Sequence, residues 1–274
     1  LREFAAGRKT VSGAWVNPQK ANVVSAFFAA RRAISEDIGK LPCITYRRKG
    51  DRDKERANEH NVYDLMRWKA NFRCSAQIFQ ETLTAHALSW GNGYAEIERN
   101  NRGEPIALWI IHPNRVRVRV NDDDSVEYEV IINDLDNKIG TEIIPGPDMF
   151  HLKGLSDDGV QGISVAQIGA ESIGLAIEAQ TFGASFFGNG AQPGLIITHP
   201  NKMDKGAQDN FRRAWSKMHR GAEKSGGYAL LQDGMTATSM NVSPEAAQFI
   251  LTREFQIEEM YRWFRIPPSK VQHL

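Results

Sequence analysis

Cysteine is almost absent from this sequence. With Cys43 and Cys74 alone among 274 residues, no disulfide framework is expected and a zinc site made of cysteine alone is excluded. The expectation is two buried or half-buried thiols. No apolar run reaches the roughly 18 residues of a membrane-spanning helix. An excess of charge is also missing: 34 Lys plus Arg stand against 33 Asp plus Glu. The chain as a whole therefore carries no field that would gather nucleic acid, and any DNA role must be local or geometric.

Catalytic constellations are missing too. There is no Gly-x-Ser-x-Gly elbow, no Gly-x-x-x-x-Gly-Lys phosphate loop and no His-Glu-x-x-His helix. The histidines at 60, 86, 112, 151, 199, 219 and 273 form no i, i+4 pair, so none has metal-ligand spacing. Asp122-Asp123-Asp124 lacks the alternate spacing and glycine of a calcium loop and reads as a hairpin tip. No catalytic residue, cofactor site or metal site is expected. What is present has the composition of an ordinary globular protein, 41% hydrophobic and 24% charged. The length suits one large or two modest domains. The opening Leu-Arg-Glu-Phe-Ala-Ala-Gly-Arg has neither an apolar signal core nor an initiator Met, as expected of a segment cut from a longer chain.

Residues 17–41 begin with Asn-Pro and carry Val24, Phe27, Phe28, Ile34 and Ile38 at helical spacing, which predicts one amphipathic helix ending at Gly39 and Leu-Pro. From Tyr46 to His60 charges of both signs crowd together, predicting a solvated loop. A short helix follows at Val62 to Trp68. A second is capped by Ser75, runs through Ile78, Phe79, Leu83 and Ala87 to Trp90, and stops at Gly91-Asn92-Gly93. Because that tripeptide follows a helix and precedes a strand, it is a tight turn and not a phosphate loop.

Between residues 94 and 153 the apolar period changes to two. Runs at 94–99, 108–112, 115–120, 126–132 and 149–153, punctuated by Gly, Asp and Pro, predict an antiparallel meander. In Arg115-Val-Arg-Val-Arg-Val120 the alternation puts Val116, Val118 and Val120 on one face and three arginines on the other. That arginine face could touch DNA, but more often such a row is solvated or paired with acidic neighbours such as Glu127 and Glu129 across the hairpin.

A long helix is predicted from about Ile163 to Phe187. Gly169, Gly174 and Gly183 lie inside it, each costing about 1 kcal/mol against Ala, so they mark close backbone approach or a bend. Glu171, Gly174, Glu178, Thr181 and Ser185 share one polar face. A βαββ unit follows: a strand at Leu195 to Thr198, a helix at Asp204 to Arg220, and strands at Tyr228 to Leu231 and Met235 to Met240. Ser243-Pro244-Glu245 opens a last helix, which Ile266-Pro267-Pro268 halts. Within the unit Lys202, Lys205, Arg212, Arg213, Lys217, Arg220 and Lys224 outnumber the acids beside Phe211 and Trp215. Both a solvated amphipathic face and a docking surface fit that pattern.

The order of these features resembles the portal proteins of long-tailed bacteriophages. The resemblance is carried by Trp90-Gly-Asn-Gly-Tyr-Ala-Glu-Ile97 with its turn at 99–103, by Leu108 to Val120 with His112-Pro113, and by Asp148-Met-Phe-His-Leu-Lys153 leading to Gly162-Ile-Ser-Val165. Phe186-Phe-Gly-Asn-Gly-Ala-Gln-Pro-Gly194 and Phe264-Arg-Ile-Pro-Pro268 complete it. It implies an α+β chain: a wing of helices and antiparallel sheet at 1–160, stem helices at 161–192 and 243–268 flanking a βαββ clip at 193–242, and the start of a truncated remainder at 269–274.

The resemblance further implies a homo-oligomeric, family-type dodecameric ring at one capsid vertex, without cofactor or membrane contact. Its partners would be terminase, a head-completion or adaptor protein, capsid protein and non-specifically held double-stranded DNA. Its place would be the virion, with the host cytoplasm during assembly or from a prophage. On this reading Glu171, Gly174, Glu178, Thr181 and Ser185 are channel-lining candidates, and the seven basic residues of the clip are docking candidates. The rival readings are a nucleic-acid-binding enzyme of another family and a monomeric adaptor or scaffold.

Overall fold

The computed structural model describes residues 7–50, 52–133, 139–188, 195–200, 203–219, 234–239 and 245–271. A hairpin of β1 (Arg8–Lys9) and β2 (Trp15–Val16) leads into α1 (Pro18–Ala21) and α2 (Ser25–Lys40). Then come β3 (Tyr46–Lys49), β4 (Asp53–Arg56), α3 (Asn61–Arg67), β5 (Lys69–Asn71), β6 (Cys74–Ser75) and α4 (Ala76–Trp90). The strand-rich stretch holds β7 (Asn92–Arg99), β8 (Pro105–Ile111), β9 (Val116–Val120), β10 (Val126–Asn133), β11 (Ile139–Pro145) and β12 (Met149–Lys153). Last are α5 (Val165–Ile168), α6 (Ala170–Gly188), β13 (Leu195–Thr198), α7 (Lys205–His219), β14 (Thr236–Ser239) and α8 (Glu245–Phe264). The strands described pair antiparallel throughout, so the chain has the expected α+β class. No helix among the described residues is long and apolar enough to cross a membrane.

The chain divides into two compact units, Leu1–Gly174 with Ile257–Leu274, and Leu175–Gln256. In the first unit the meander forms two sheets, ordered β11-β10-β9 and β12-β7-β8. Alternation along β7 explains how they stack. Tyr94 points into a cluster with Ile111, Val116, Tyr128, Val130, Ile144 and Met149, between the two sheets. Its neighbour Ala95 points the other way, into a cluster with Leu65, Phe79, Leu83 and Leu108 from α3, α4 and β8. One sheet is thus covered on both faces. Val116 is buried and Val118 partly packed, while Val120 at the strand end is exposed. Of the arginine row, Arg119 meets Glu129 at 2.8 Å across the hairpin, and Arg115 donates to the Ile131 carbonyl at 2.7 Å.

Several expectations need correction. Strand β11 was missed because Gly140, Thr141 and Glu142 interrupt its apolar residues and Pro145 reads as punctuation. It nonetheless pairs with β10 from Ile139↔Asn133 to Pro145↔Glu127. The charged segment is not a loop but an exposed hairpin of β3 and β4. Lys49–Glu55 at 2.7 Å and Arg47–Glu59 at 2.9 Å decorate it, contacts worth at most about 1 kcal/mol each at such exposure. The helix expected over 17–41 is broken between α1 and α2. Its buried face is Ala26, Phe27, Ala30, Ser35 and Gly39, while Phe28 and Ile38 are 45% and 41% exposed. The reason is the closeness of α4: a Cβ on Gly39 would lie 3.1 Å from Glu81 Cβ and 3.2 Å from the Gln77 carbonyl oxygen. Only small side chains fit such an approach. Cys43 is exposed and Cys74 half-buried, both as free thiols.

In the second unit β13 pairs with β14 from Leu195↔Ser239 to Thr198↔Thr236. Asp204 caps α7 by accepting from the Ala207 amide at 2.7 Å. The strand expected at Tyr228 to Leu231 lies outside the described residues.

The tightest helix-to-sheet approach yields a stability test. A Cβ on Gly93 would sit 2.6 Å from the Leu83 carbonyl oxygen, so Gly93→Ala should cost about 1–3 kcal/mol through overpacking. Gly206→Ala, in the open first turn of α7, should cost nothing or stabilise slightly. Urea denaturation of both variants measures the contrast.

Candidate functional site

The candidate stripe begins where the sheets hand the chain to helices. Ser164 caps α5 through the Gln167 amide at 3.3 Å and donates its own hydroxyl to the Ser89 carbonyl at 2.7 Å. The helix expected to be continuous from Ile163 to Phe187 breaks at Gly169, which separates α5 from α6. The Trp263 indole packs there, its Nε1 only 3.4 Å from where a Cβ would be.

Along α6 the stripe falls into two parts. Glu171 accepts from the Arg8 guanidinium at 3.1 Å and from the Val11 amide at 3.0 Å. A Cβ on Gly174 would lie 2.6 Å from Thr10 Oγ1. Both residues therefore sit beneath the β1–β2 hairpin. Gly174 marks close approach and not a bend, since α6 runs unbroken through it. Glu178 is half-buried, while Thr181 and Ser185 are exposed. The Thr181 hydroxyl donates back to the Ile177 carbonyl at 3.0 Å. Ala170 and Ala176 are buried, Ala179 is half-buried and Ala184 exposed.

Among the basic candidates, Lys205, Arg212 and Arg213 are exposed on α7. Arg213 donates to Asn210 Oδ1 at 2.7 Å and to the Asp209 carbonyl at 3.3 Å. Lys202, Arg220 and Lys224, and the side chain of Lys217, lie outside the described residues.

Sequence reasoning missed a buried polar relay just ahead of α5. The Asn92 amide holds both backbone groups of one residue: Oδ1 accepts from Gly162 N at 2.7 Å and Nδ2 donates to Gly162 O at 2.9 Å. This fixes which end of the amide is oxygen. His151 Nε2, 2.9 Å from Asn92 Oδ1, must then carry the proton, leaving Nδ1 to accept from the Tyr128 hydroxyl at 3.0 Å. Around the clamp Gly91, Gly154 and Gly162 meet backbone to backbone. Gly91 has φ +84°, Gly154 N donates to Gly91 O at 2.7 Å, and a Cβ on Gly162 would overlap the Gly91 carbonyl. Burial, and secondarily Lys153, push the His151 imidazole down to about 4. His86 is likewise driven to about 4 by burial, then by His112 and Arg31. Its ring lies 5.1 Å from that of His112. No third group turns either pair into a ligand set: among the described residues no cluster of three His, Cys, Asp or Glu could hold a metal. The signal for the relay was the Gly-Asn-Gly turn itself, which pattern rules read only as a stop.

Comparison with known proteins gives one consistent result. A family model described as phage portal protein matches residues 25–274. A probable portal protein of Streptomyces phage phiC31 is 32% identical over 271 residues, covering 97% of this chain and 58% of that protein. The portal protein of Enterobacteria phage HK97 is 24% identical over 259 residues, covering 93% and 59%. Among solved structures, an HK97 family phage portal protein from Corynebacterium diphtheriae superposes with a TM-score of 0.65 at 11% identity, covering 95% of this chain and 81% of that one. A chain from the neck of a native gene transfer agent particle, computed with C12 symmetry, gives 0.63 at 20% identity over 93% and 68%. At these identities the solved structures share the fold. The chain spans less than two thirds of the length of the curated relatives.

The relay makes stability depend on pH. Between pH 6.5 and about 4 the unfolded chain protonates His151 while the folded chain does not. Its contribution is thus complete above the ordinary histidine range and is lost as pH falls toward the folded value. Gln at 151 can donate to Asn92 and accept from Tyr128 without titrating. His151→Gln should therefore show a smaller fall in Tm on acidification through this window; an unchanged slope would remove His151 as a cause.

Proposed function

The chain belongs to the phage portal protein family, and from that premise we propose that it is part of a ring subunit forming the DNA channel at one capsid vertex of a virion. The family is structural and not enzymatic. The observation that carries the reading is the family match, which runs through both units without interruption. In this proposal residues 1–160 form the wing, 161–192 and 243–268 the stem helices, and 193–242 the clip. Residues 269–274 open a further part.

A conduit must hold DNA without reading it. Carboxylates repel the phosphate backbone, and an absence of base-directed donors leaves nothing for a sequence to grip. The half-buried Glu178 and the exposed Thr181 and Ser185 on α6 supply such a face. Glu171 and Gly174 are taken up by the N-terminal hairpin, so the channel face is proposed for the other three. The small Gly and Ala positions let neighbouring stem helices converge in a closed ring, where bulk would hold backbones apart. The basic face of α7, with Lys205, Arg212 and Arg213 exposed and Lys202, Lys217, Arg220 and Lys224 in the same stretch, is proposed to dock terminase during packaging and a head-completion or adaptor protein afterwards. Capsid protein would hold the wing. Assembly would pass through the host cytoplasm.

Two sets of variants test this. Reversing Arg212, Arg213 and Lys217 to Glu should leave rings intact by negative-stain electron microscopy but lower the yield of DNA-filled heads. Unchanged packaging would return these charges to a solvated face. Ala179→Trp should prevent ring closure, whereas Glu178→Gln should leave rings closed and change only the rate of DNA passage. Normal rings with Trp at 179 would contradict the stem packing.

A further inference from the structure

The hairpin of β3 and β4 sorts its charges in a way that its sequence does not show. Residues 46–59 carry six cations and four carboxylates in no evident order. The register sets Tyr46 opposite Arg56, Arg47 opposite Glu55, Arg48 opposite Lys54 and Lys49 opposite Asp53, and alternate residues of a strand point to opposite sides. One side of the ribbon therefore carries Arg47, Lys49, Asp53 and Glu55, and the other Tyr46, Arg48, Lys54 and Arg56. The first side is paired: Lys49 meets Glu55 at 2.7 Å and Arg47 meets Glu59 at 2.9 Å. It also leads into the body of the unit, since Glu55 is half-buried and Ala57, just past β4, is buried. On the second side all four side chains are exposed. There Arg48, Lys54 and Arg56 belong to none of the ion pairs formed among the described residues. The turn residue Asp51 lies outside the described residues.

Like charges held directly across a ladder destabilise it, and Arg48 and Lys54 are so held. Guarding a free strand edge against pairing would also place charges here, but it gives no reason for the acids of both strands to be confined to the other side. An anion laid along the ribbon relieves the repulsion, and the make-up of the face says which kind. A protein partner binds largely by burying an apolar centre, and on this side Tyr46, 50% exposed at the foot of the ribbon, is the one residue that could supply it. A nucleic acid backbone needs no such centre. Its affinity comes from cations set against phosphates and from the counterions they release. A two-stranded ribbon is also an element that the major groove of a duplex admits. Three cations with no amide or carboxylate beside them position a backbone and do not read bases.

We propose that the face formed by Tyr46, Arg48, Lys54 and Arg56 holds the phosphate backbone of double-stranded DNA without regard to its sequence. The contact uses residues distinct from the proposed channel face on α6 and does not require a ring.

Filter binding of the purified protein to covalently closed, relaxed DNA minicircles tests it, because a closed circle has no end to thread through a channel. Two variants of equal net charge are compared. Arg48→Gln/Lys54→Gln removes cations from the exposed face, and Arg47→Gln/Lys49→Gln removes them from the paired one. In about 0.1 M salt the first should lose on the order of tenfold in affinity, and its plot of log K against log salt should flatten by about 0.9 for each phosphate contact given up. The second should bind nearly as the parent does, and circles of unrelated sequence should bind alike. Circular dichroism should be unchanged in both, and Arg56→Gln gives an independent variant should the first double misfold. No binding of the circle overturns the proposal. An equal loss in the two double variants also overturns it, reducing the effect to overall charge. So does polyglutamate bound as tightly as the circle and as sensitive to Arg48→Gln/Lys54→Gln, which assigns the face to an acidic protein.

Discussion

Three stretches of backbone meet at Gly91, Gly154 and Gly162 with no room for a side chain between them, and the path of the chain out of the sheets depends on that contact. Gly91 ends α4 in the left-handed region and turns it into β7. Gly154, just after β12, donates to the Gly91 carbonyl. Gly162 is pinned by Asn92, the first residue of β7, and Asn92 is itself held by His151 of β12 and, through it, Tyr128 of β10. Both sheets are therefore hydrogen-bonded to the point from which α5 departs, and Ser164 adds a bond to the end of α4. Groups this buried and this fully partnered are costly to disturb one at a time. The start of α5 is fixed by the same contacts that hold the sheets.

The consequence reaches the start of α6. Once α5 starts from a fixed point, Gly169 permits a break, Trp263 fills the space left by its missing side chain, and α6 begins with Glu171 under the N-terminal hairpin. Electrostatics acts locally throughout: with a net charge of +1, what matters is where charges are left unpaired. The arginine row of β9 is partly spent on Glu129 and the Ile131 carbonyl. By contrast the exposed Lys69 and Arg73 belong to none of the ion pairs formed among the described residues.

Much of this was readable from the chain. The cap at Ser75, the stop at Gly91 and the alternating strands 94–99 and 126–132 follow from local chemistry, and local chemistry is what a sequence window contains. The failures have a common cause. Strand β11 is assembled by pairing and not by its own periodicity. The buried face of α2 was misjudged because a close neighbour selects Gly39 and Ala30 over the larger Phe28 and Ile38. Helical periodicity placed Glu171 and Gly174 on one face correctly, but what covers that face is a hairpin some 160 residues earlier. Likewise Phe72 and Trp109 are far apart in sequence, and nothing in their spacing announces that their rings meet beside Arg73.

The central claim is that α6 forms the inner wall of a ring. Electron cryomicroscopy of the assembled protein tests it directly. The account requires a closed ring in which Glu178, Thr181 and Ser185 face the central axis and Ala179 lies against a neighbouring subunit. A ring with these three side chains on its outer surface, or a protein that stays monomeric in light scattering, would contradict it.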